Sequence, residues 1–141
     1  MAKRANHGPR TVAEFKRRGW RYGKTEHWKA FHASKDDDRK PGGVRVDLFG
    51  FVDYLAIAPA GPRKYFVFVQ ITSDSGVSAR VAKIRGECSD AAKDVLSVGG
   101  RIEVWGWKQK KPRARWTLRR VAVLLGDDGE LYTEKQEPDD D

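Results

Sequence analysis

Two aspartates stand in a stretch of the chain that is otherwise almost entirely apolar. Asp47 and Asp53 fall within residues 45–57, whose sequence is RVDLFGFVDYLAI. A carboxylate inside an apolar strand is costly unless a cation or a partner compensates it, so Asp53 is the stronger candidate for a functional group. Carboxylates that converge on Mg²⁺ or Mn²⁺ support phosphodiester hydrolysis, because the cation neutralises phosphate charge and activates water. The pair therefore predicts a divalent-metal site, unless a strand end or a bulge at Gly50 leaves the acids in water.

The next apolar run carries a second polar pair. Residues 65–76 have the sequence YFVFVQITSDSG, in which Gln70 and Thr72 share one face of a strand because side chains alternate. The carbonyl oxygen of Gln70 can ligate a hard cation, although the amide could equally satisfy a neighbour's hydrogen bond. We therefore predict that Gln70 joins Asp53 and Asp47 at the metal.

The elements that must position these residues follow from hydrophobic periodicity and turn signals. The predicted elements are a helix at 11–18, strands at 20–31, 44–58 and 65–72, helices at 77–87 and 89–98, and strands at 101–107 and 115–125. This order, αβββααββ, predicts a single α/β domain at residues 11–126 with a mixed central sheet flanked by helices. Residues 1–10 are expected to form a basic disordered arm, and residues 127–141 an acidic flexible tail.

Charge is distributed unevenly along the 141 residues, whose net charge is +8. Residues 1–40 hold 12 basic and 5 acidic side chains, residues 101–120 hold 8 and 1, and residues 121–141 hold 1 and 8. Such a cationic surface attracts a polyanion, and aromatic rings between the charges suit nucleic acid. The predicted nucleic-acid-binding residues are Arg80, Trp107, Lys108, Lys110, Lys111, Arg113 and Arg115.

Several classes of protein are disfavoured by the sequence. No apolar run approaches the roughly 20 residues of a membrane-spanning helix, and the start MAKRANHGPR lacks the apolar core of a secretory signal. The single cysteine, Cys88, excludes an internal disulfide framework, so we expect a cytoplasmic setting. A phosphate-binding GxxxxGK[ST] loop does not occur, which argues against the use of nucleoside triphosphates.

Three segments together resemble a known group of proteins. They are DLFGFVD at residues 47–53, VQITS at 69–73 and SARVAKI at 78–84, with TEHW upstream at 25–28. This pattern resembles phage- and prophage-encoded restriction-endonuclease-like proteins of the PD-(D/E)xK nuclease superfamily, which includes Holliday-junction resolvases. The resemblance covers about residues 11–105. It implies a restriction-endonuclease-like fold, DNA as the partner, and Mg²⁺ or Mn²⁺ as the cofactor.

The resemblance also implies roles for individual residues. Asp53 matches the metal-binding aspartate of the superfamily, Gln70 stands at its second acidic position, and Thr72 stands where the superfamily has lysine. Glu26 or Glu14 would supply the acidic residue that comes from upstream. The implied catalytic set therefore contains Asp53, Gln70, Thr72 and Glu26.

Threonine at position 72 removes the cation that would orient the attacking water. Lys83, one helix later, is expected to take its place in space, with Arg80 on a phosphate. If Lys83 does not take the place of that lysine, the fold would serve for binding only.

The expected function is therefore a DNA-binding, metal-dependent endonuclease, with branched DNA among its candidate substrates. A first alternative is a nuclease-fold protein that binds DNA without cleaving it. A second is a single-strand or RNA-binding protein that stacks bases on Trp105, Trp107 and Trp116. A homodimer is expected only by analogy with other nucleases of this fold.

Overall fold

The protein is described here from a computed structural model, which covers residues 6–30 and 42–136. The helices are α1 (Gly8–Arg18), α2 (Val77–Arg85) and α3 (Ser89–Ser97), and a 3₁₀ turn at Asp74–Gly76 precedes α2. The strands are β1 (Arg21–Lys24), β2 (His27–Ala30), β3 (Gly43–Val46), β4 (Tyr54–Ala60), β5 (Arg63–Ser73), β6 (Arg101–Lys108), β7 (Thr117–Leu125) and β8 (Leu131–Lys135). Within the described ranges, no helix has both the length and the apolar character needed to cross a bilayer.

Six of the strands form one mixed sheet in the order β1-β4-β5-β6-β7-β8. Strands β5 and β6 are parallel and are connected through α2 and α3, while the other neighbours in this sheet are antiparallel. Strands β2 and β3 form a separate two-stranded antiparallel ribbon. The predicted class, a single α/β domain with a mixed sheet, is confirmed.

Helices cover both faces of the sheet, and strand β6 shows how the sequence achieves this. Its successive side chains point to opposite faces, so Val104 packs on the side of α2 and α3 while Trp105 packs on the side of α1. Phe15 of α1 contacts Trp105 with ring centroids 5.0 Å apart. A strand covered on both faces has a nearly continuous apolar sequence, as β6 and the second half of β5 do.

Helix α1 begins earlier than predicted. Proline at the start of a helix is pre-set for helical φ, and Pro9 lies in the first turn. Thr11 is inside the helix rather than at its N-cap, because its hydroxyl donates to the carbonyl of His7 at 2.8 Å. The prediction of a disordered arm is therefore wrong for residues 8–10, whereas residues 1–5 lie outside the described residues.

Two of the predicted strands are each divided in the structure. Residues 20–31 contain β1, which pairs with β4, and β2, which pairs with β3. Residues 44–58 contain β3 and β4, separated by a turn closed by the Leu48–Val52 bridge. Phe49 and Gly50 adopt left-handed backbone conformations in this turn, with φ of 56° and 82°. Asp53 therefore lies just before β4 instead of in the middle of a long strand.

The C-terminal segment contains a strand that the sequence analysis did not predict. Strand β8 pairs with β7 along its whole length, and Leu131 is buried against the core on the side of α2 and α3. Hence the prediction of a flexible acidic tail is wrong for residues 131–135. The rest of that segment after Gln136 lies outside the described residues.

Candidate metal centre

An open cleft of about 670 Å³ lies where β5 ends. Its lining includes the last four residues of β5, together with residues from the start of α1, the ribbon and α2. The lining residues are Asn6, His7, Glu26, Arg45, Asp47, Asp53, Gln70, Ile71, Thr72, Ser73 and Arg80. In α/β sheets, ligands characteristically bind beyond the carboxyl ends of the strands, which is where this cleft opens.

Three acidic side chains converge in the cleft. Glu26, Asp47 and Asp53 each place one carboxylate oxygen within 4.8 Å of the others. Glu26 directly precedes β2 and Asp47 directly follows β3, so the ribbon brings these two together. The turn at residues 48–52 then folds the chain back and places Asp53 beside Asp47. Oxygen atoms this close can share one cation, so the three residues could bind a metal.

Asp53 is held in place from several directions. Its backbone N–H donates to the Val69 carbonyl at 2.9 Å, which continues the pairing of β4 with β5. Its Oδ2 accepts hydrogen bonds from Gln70 Nε2 at 2.9 Å and from the Ile71 backbone N–H at 2.8 Å. The side chain is only 7% exposed, so burial and two anchoring donors fix its orientation.

The electrostatics of Asp53 show the cost of this placement. Burial raises the pKa of Asp53 to about 7, the Ile71 N–H bond opposes that rise, and the neighbouring Asp47 and Glu26 add to it. Like-charged carboxylates at such distances cannot all ionise cheaply unless positive charge is supplied. The site is therefore suited to accept a cation.

Gln70 lines the same cleft and carries an amide oxygen. The side chain is 2% exposed, and its Nε2 atom is used by Asp53. Its Oε1 atom is buried and has no hydrogen-bond partner among the residues that the structure describes. Buried polar atoms are nearly always satisfied, so an orphaned acceptor beside three carboxylates is what a missing hard cation would leave.

The structure separates the two acids proposed as the upstream residue. Glu26 belongs to the cluster, and Arg45 lies 3.4 Å from it across the ribbon. Glu14 instead pairs with Arg17 and Arg18 on α1. Only Glu26 of the two is therefore placed to act in the cleft.

Arg80, rather than Lys83, is the α2 cation that lines the cleft. Its guanidinium makes no ion pair or hydrogen bond with any residue in the described ranges. Lys83 follows three residues later on α2, nearly a full helical turn farther from the cleft. Its charge instead acts on Cys88, where it partly opposes the rise in pKa that burial causes. The structure thus does not bring Lys83 to the cleft. Thr72 does line it and is 9% exposed.

Apart from Arg80, the predicted nucleic-acid-binding cations lie at the end of β6 and in its connection to β7, which together we call the basic loop (residues 108–116). Lys108, Lys110, Lys111, Arg113 and Arg115 are all exposed there. Because β5 and β6 are parallel and Ser73 pairs with Trp107, the loop leaves the sheet at the same end as the cleft. The basic loop and the acidic cluster therefore share one end of the molecule.

Two of the tryptophans proposed for base stacking belong to the core instead. Trp105 is fully buried, and its Nε1 donates to Glu103 Oε1 at 3.0 Å. Trp107 is 6% exposed and its Nε1 donates to the hydroxyl of Thr11 at 3.0 Å. The assignment of Trp107 to nucleic-acid binding is thus wrong, because the ring is needed between the sheet and α1. Trp116 is half-buried, with the Arg10 guanidinium 3.6 Å from its ring centroid.

His7 lines the cleft and was missed because the sequence analysis placed it in the arm. Arg10 Nη1 lies 3.1 Å from its Nδ1, and arginine only donates, so Nδ1 accepts and the ring proton resides on Nε2. Burial and, secondarily, the charge of Arg10 lower the pKa of His7, which keeps the ring neutral near pH 7. Its Nε2 is buried with no partner. The only sequence signal was Pro9, which starts the helix right after it.

Comparison with known proteins does not assign the chain to a family. No family model matches it, and no curated protein or solved structure matches it either. What the protein does must therefore be inferred from the geometry of the cleft and the charge around it.

Proposed function

We propose that this protein is a nucleic-acid-binding, metal-dependent phosphodiesterase whose active site is the cleft around Asp53. The observation that carries the proposal is the convergence of Glu26, Asp47 and Asp53 within 4.8 Å of one another. This cluster lies in a chain with 28 basic and 20 acidic side chains, so it is an acidic site in a basic protein. A phosphate backbone would be attracted by the whole surface, and a cation in the cluster would let it approach the carboxylates.

The donor set fits a hard divalent cation. Three carboxylates and the orphaned Gln70 Oε1 offer only oxygen, which Mg²⁺ and Mn²⁺ prefer. When bound, such an ion supplies charge neutralisation at the phosphate and a lowered pKa for a coordinated water. Asp53 and Gln70 would hold it most rigidly, because both are buried and joined by a hydrogen bond.

The remaining cleft residues suit a phosphate. Arg80 has an unpaired guanidinium, whose planar set of donors matches phosphate oxygens. The buried Nε2–H of His7 is a second donor without an acceptor. The exposed cations of the basic loop would bind phosphates farther along the same strand.

The resemblance to the PD-(D/E)xK superfamily supports the same function. Asp53, directly before β4, is hydrogen-bonded to Gln70 on the adjacent strand β5, which is similar to the relation the superfamily has between its two metal-binding positions. We therefore propose a restriction-endonuclease-like arrangement of the sheet around the cleft. Thr72 stands where the superfamily has lysine, and no other lysine replaces it, because none is among the lining residues in the described ranges.

That departure favours a second candidate, a protein that binds DNA and metal without cleaving. A lysine in the usual place would orient the attacking water, and arginine is a poor substitute because it does not readily give up a proton. Cleavage would then require a solvent molecule, rather than a lysine, to take the proton of the attacking water.

A cleavage assay distinguishes the two candidates. Purified protein is incubated with labelled duplex, branched and single-stranded DNA in Mg²⁺, Mn²⁺ or EDTA. We expect cleavage only with a divalent ion, and we expect Asp53→Asn to abolish it while binding in EDTA is retained. Asp94→Asn, on the exposed side of α3, serves as the matched control and should cleave like wild type. Wild-type activity in Asp53→Asn would overturn the active-site proposal, whereas binding without cleavage of any substrate would establish the second candidate.

A further inference from the structure

Trp28 is the exposed tryptophan of this chain. It is 61% exposed, whereas the other four tryptophans, at positions 20, 105, 107 and 116, are buried or half-buried. An indole is costly to leave in water, and exposed aromatic rings often mark binding surfaces. The location of Trp28 indicates what it would bind.

Trp28 lies on the ribbon that carries two members of the acidic cluster. Strand β2 begins directly after Glu26, and strand β3 ends directly before Asp47. In the register of the ribbon, Trp28 is opposite Arg45, and directly opposite residues project from the same face. Arg45 lines the cleft and lies 3.4 Å from Glu26.

Parity places Trp28 on the same face of the ribbon as the metal cluster. Glu26 and Trp28 are two residues apart, as are Arg45 and Asp47, so all four side chains belong to one face of the ribbon. Two residues along a strand correspond to about 7 Å. The indole leans over Gly43, towards the end of the ribbon away from the cluster, so a base one or two nucleotides from a phosphate at the cluster would come within its reach.

The backbone of β3 holds the indole in a defined orientation. A side-chain carbon at Gly43 would lie 2.6 Å from Trp28 Cε2 and 2.8 Å from Cζ2, so the indole occupies the space above this glycine. Ala30, the partner of Gly43 in the ribbon, is also small. One side of the ring therefore packs on the strand, and among the residues that the structure describes the opposite side is exposed, which lowers the entropic cost of stacking.

The free ring face suits a nucleobase better than an apolar protein surface. Arg45 lies directly across the ribbon from Trp28 on the same face, so the ring has a cationic neighbour, while His27 and Lys29 project from the opposite face. Aromatic rings among cations are the usual platform for bases of single-stranded nucleic acid. Inside a regular duplex, every base already stacks on both neighbours and offers no free face.

We propose that Trp28 is a base-stacking site, and that the substrate of the cleft is a nucleic acid with an unpaired or unstacked base next to the scissile phosphate. Single strands, flaps, forks and junctions offer such a base, and an unbroken duplex does not. This inference rests on the proposed function for the position of the phosphate. It is independent of Trp105, Trp107 and Trp116.

Equilibrium binding of DNA tests the proposal. It is measured in Ca²⁺, which binds oxygen ligands, so that affinity is read without turnover. The probes are fluorescein-labelled DNAs of equal length: a single strand, a blunt duplex and a duplex with a single-stranded fork. We expect Trp28→Ala to weaken binding of the fork and the single strand about 10- to 100-fold, with the duplex changed less than about twofold. Trp28→Phe, which keeps a stacking ring, should recover most of the loss. Tyr132→Ala removes an aromatic ring of similar exposure, 47%, from β8 and should leave all three affinities unchanged.

An equal loss on all three probes, or no loss on any, would overturn the inference. Failure of the proposed function has a different signature, because it is read from cleavage in Mg²⁺ or Mn²⁺. Selective binding through Trp28 without any cleavage refutes the phosphodiesterase and leaves the stacking site standing. If Asp53→Asn abolishes cleavage but Trp28→Ala cleaves every probe as well as wild type does, the stacking site alone is refuted.

Discussion

Asp53 combines burial, two anchoring hydrogen bonds and two acidic neighbours in a way that a purely structural aspartate would not need. Oδ2 accepts from Gln70 and from Ile71, and these bonds alone would favour the ionised form. Burial, with the charges of Asp47 and Glu26, nevertheless raises the pKa to about 7. The residue therefore costs the metal-free protein stability that a bound cation would restore.

The metal-free protein should lose stability as the pH rises. The pKa of Asp53 is about 7 in the folded state against an ordinary value of 3.8, so the folded state binds more protons between these values. Stability is then present at low pH and is lost as the pH rises through the folded-state pKa, by at most about 4 kcal/mol. Urea unfolding in EDTA at pH 5 and pH 8 measures the loss, and Asp53→Asn should remove most of it.

His7 contributes a pH dependence of stability with the opposite sign, and it is present in both wild type and Asp53→Asn. Its lowered pKa makes folding less favourable as the pH falls below the ordinary value of 6.5. Comparison of wild type with Asp53→Asn cancels this contribution. If the free energy of unfolding depends on pH in the same way for the two proteins, ionisation of Asp53 costs the folded state no stability. Mn²⁺ added at pH 8 should stabilise wild type and have much less effect on the variant.

At the scale of elements, the turn at residues 48–52 decides whether the acidic cluster exists. It reverses the chain between β3 and β4, so Asp47 and Asp53 meet although six positions separate them. Gly50 adopts φ of 82°, which costs a residue with a side chain about 1–2 kcal/mol. An added Cβ would also approach Cys88 Sγ at 3.3 Å. The turn thus links the packing beneath α2 and α3 to the geometry of the site.

Gly50→Ala should therefore lower both stability and metal affinity. The expected destabilisation is about 1–2 kcal/mol, and metal binding should weaken because Asp47 and Asp53 are displaced from each other. Gly61→Ala is the matched control, since Gly61 has φ of 61° in the turn between β4 and β5 with open space around it. It should lose similar stability and keep metal affinity. Calorimetric titration with Mn²⁺ measures the affinity, and an equal affinity in both variants would separate the turn from the site.

The sequence predicted those parts of the site that depend on strand periodicity. Alternation was sufficient to place Gln70 and Thr72 on one face, and the cost of a buried acid was sufficient to single out Asp53. The turn could not be predicted in the same way, because Phe49 and Phe51 flank Gly50 and make the segment resemble a continuous apolar strand. Phe49 in a left-handed conformation is a local exception, since residues with a large side chain seldom adopt a positive φ.

Long-range contacts explain the remaining differences between prediction and structure. Strand β8 has one buried residue, Leu131, among exposed ones, so its pattern does not distinguish it from a tail. The exposure of tryptophans likewise depends on partners distant in sequence: Trp107 is buried through Thr11, 96 residues away. Periodicity carries no information about such contacts.

At the scale of the whole molecule, opposite charges are brought to the same end. The acidic cluster lies beyond the end of β5, and the basic loop follows the parallel strand β6 at that end. Nucleic acid drawn to the loop would thus be delivered near the cleft, and the metal would offset the local repulsion between phosphate and carboxylates. A protein that used its charge only for solubility would need no such arrangement.

The salt dependence of DNA binding tests this arrangement with a matched pair of variants. Lys110→Gln combined with Lys111→Gln removes two charges from the basic loop. Arg63→Gln combined with Lys64→Gln, called the turn variant because β5 begins there next to the turn that follows β4, removes two exposed charges from the end of β5 away from the cleft. Each phosphate contact contributes about −0.9 to the slope of log K against log salt for duplex DNA. We expect the loop variant to flatten the slope by about 1.8 and the turn variant to leave it nearly unchanged, although both have the same net charge. Equal slopes in the two variants would mean that total charge attracts the DNA, and that the basic loop does not direct it to the cleft.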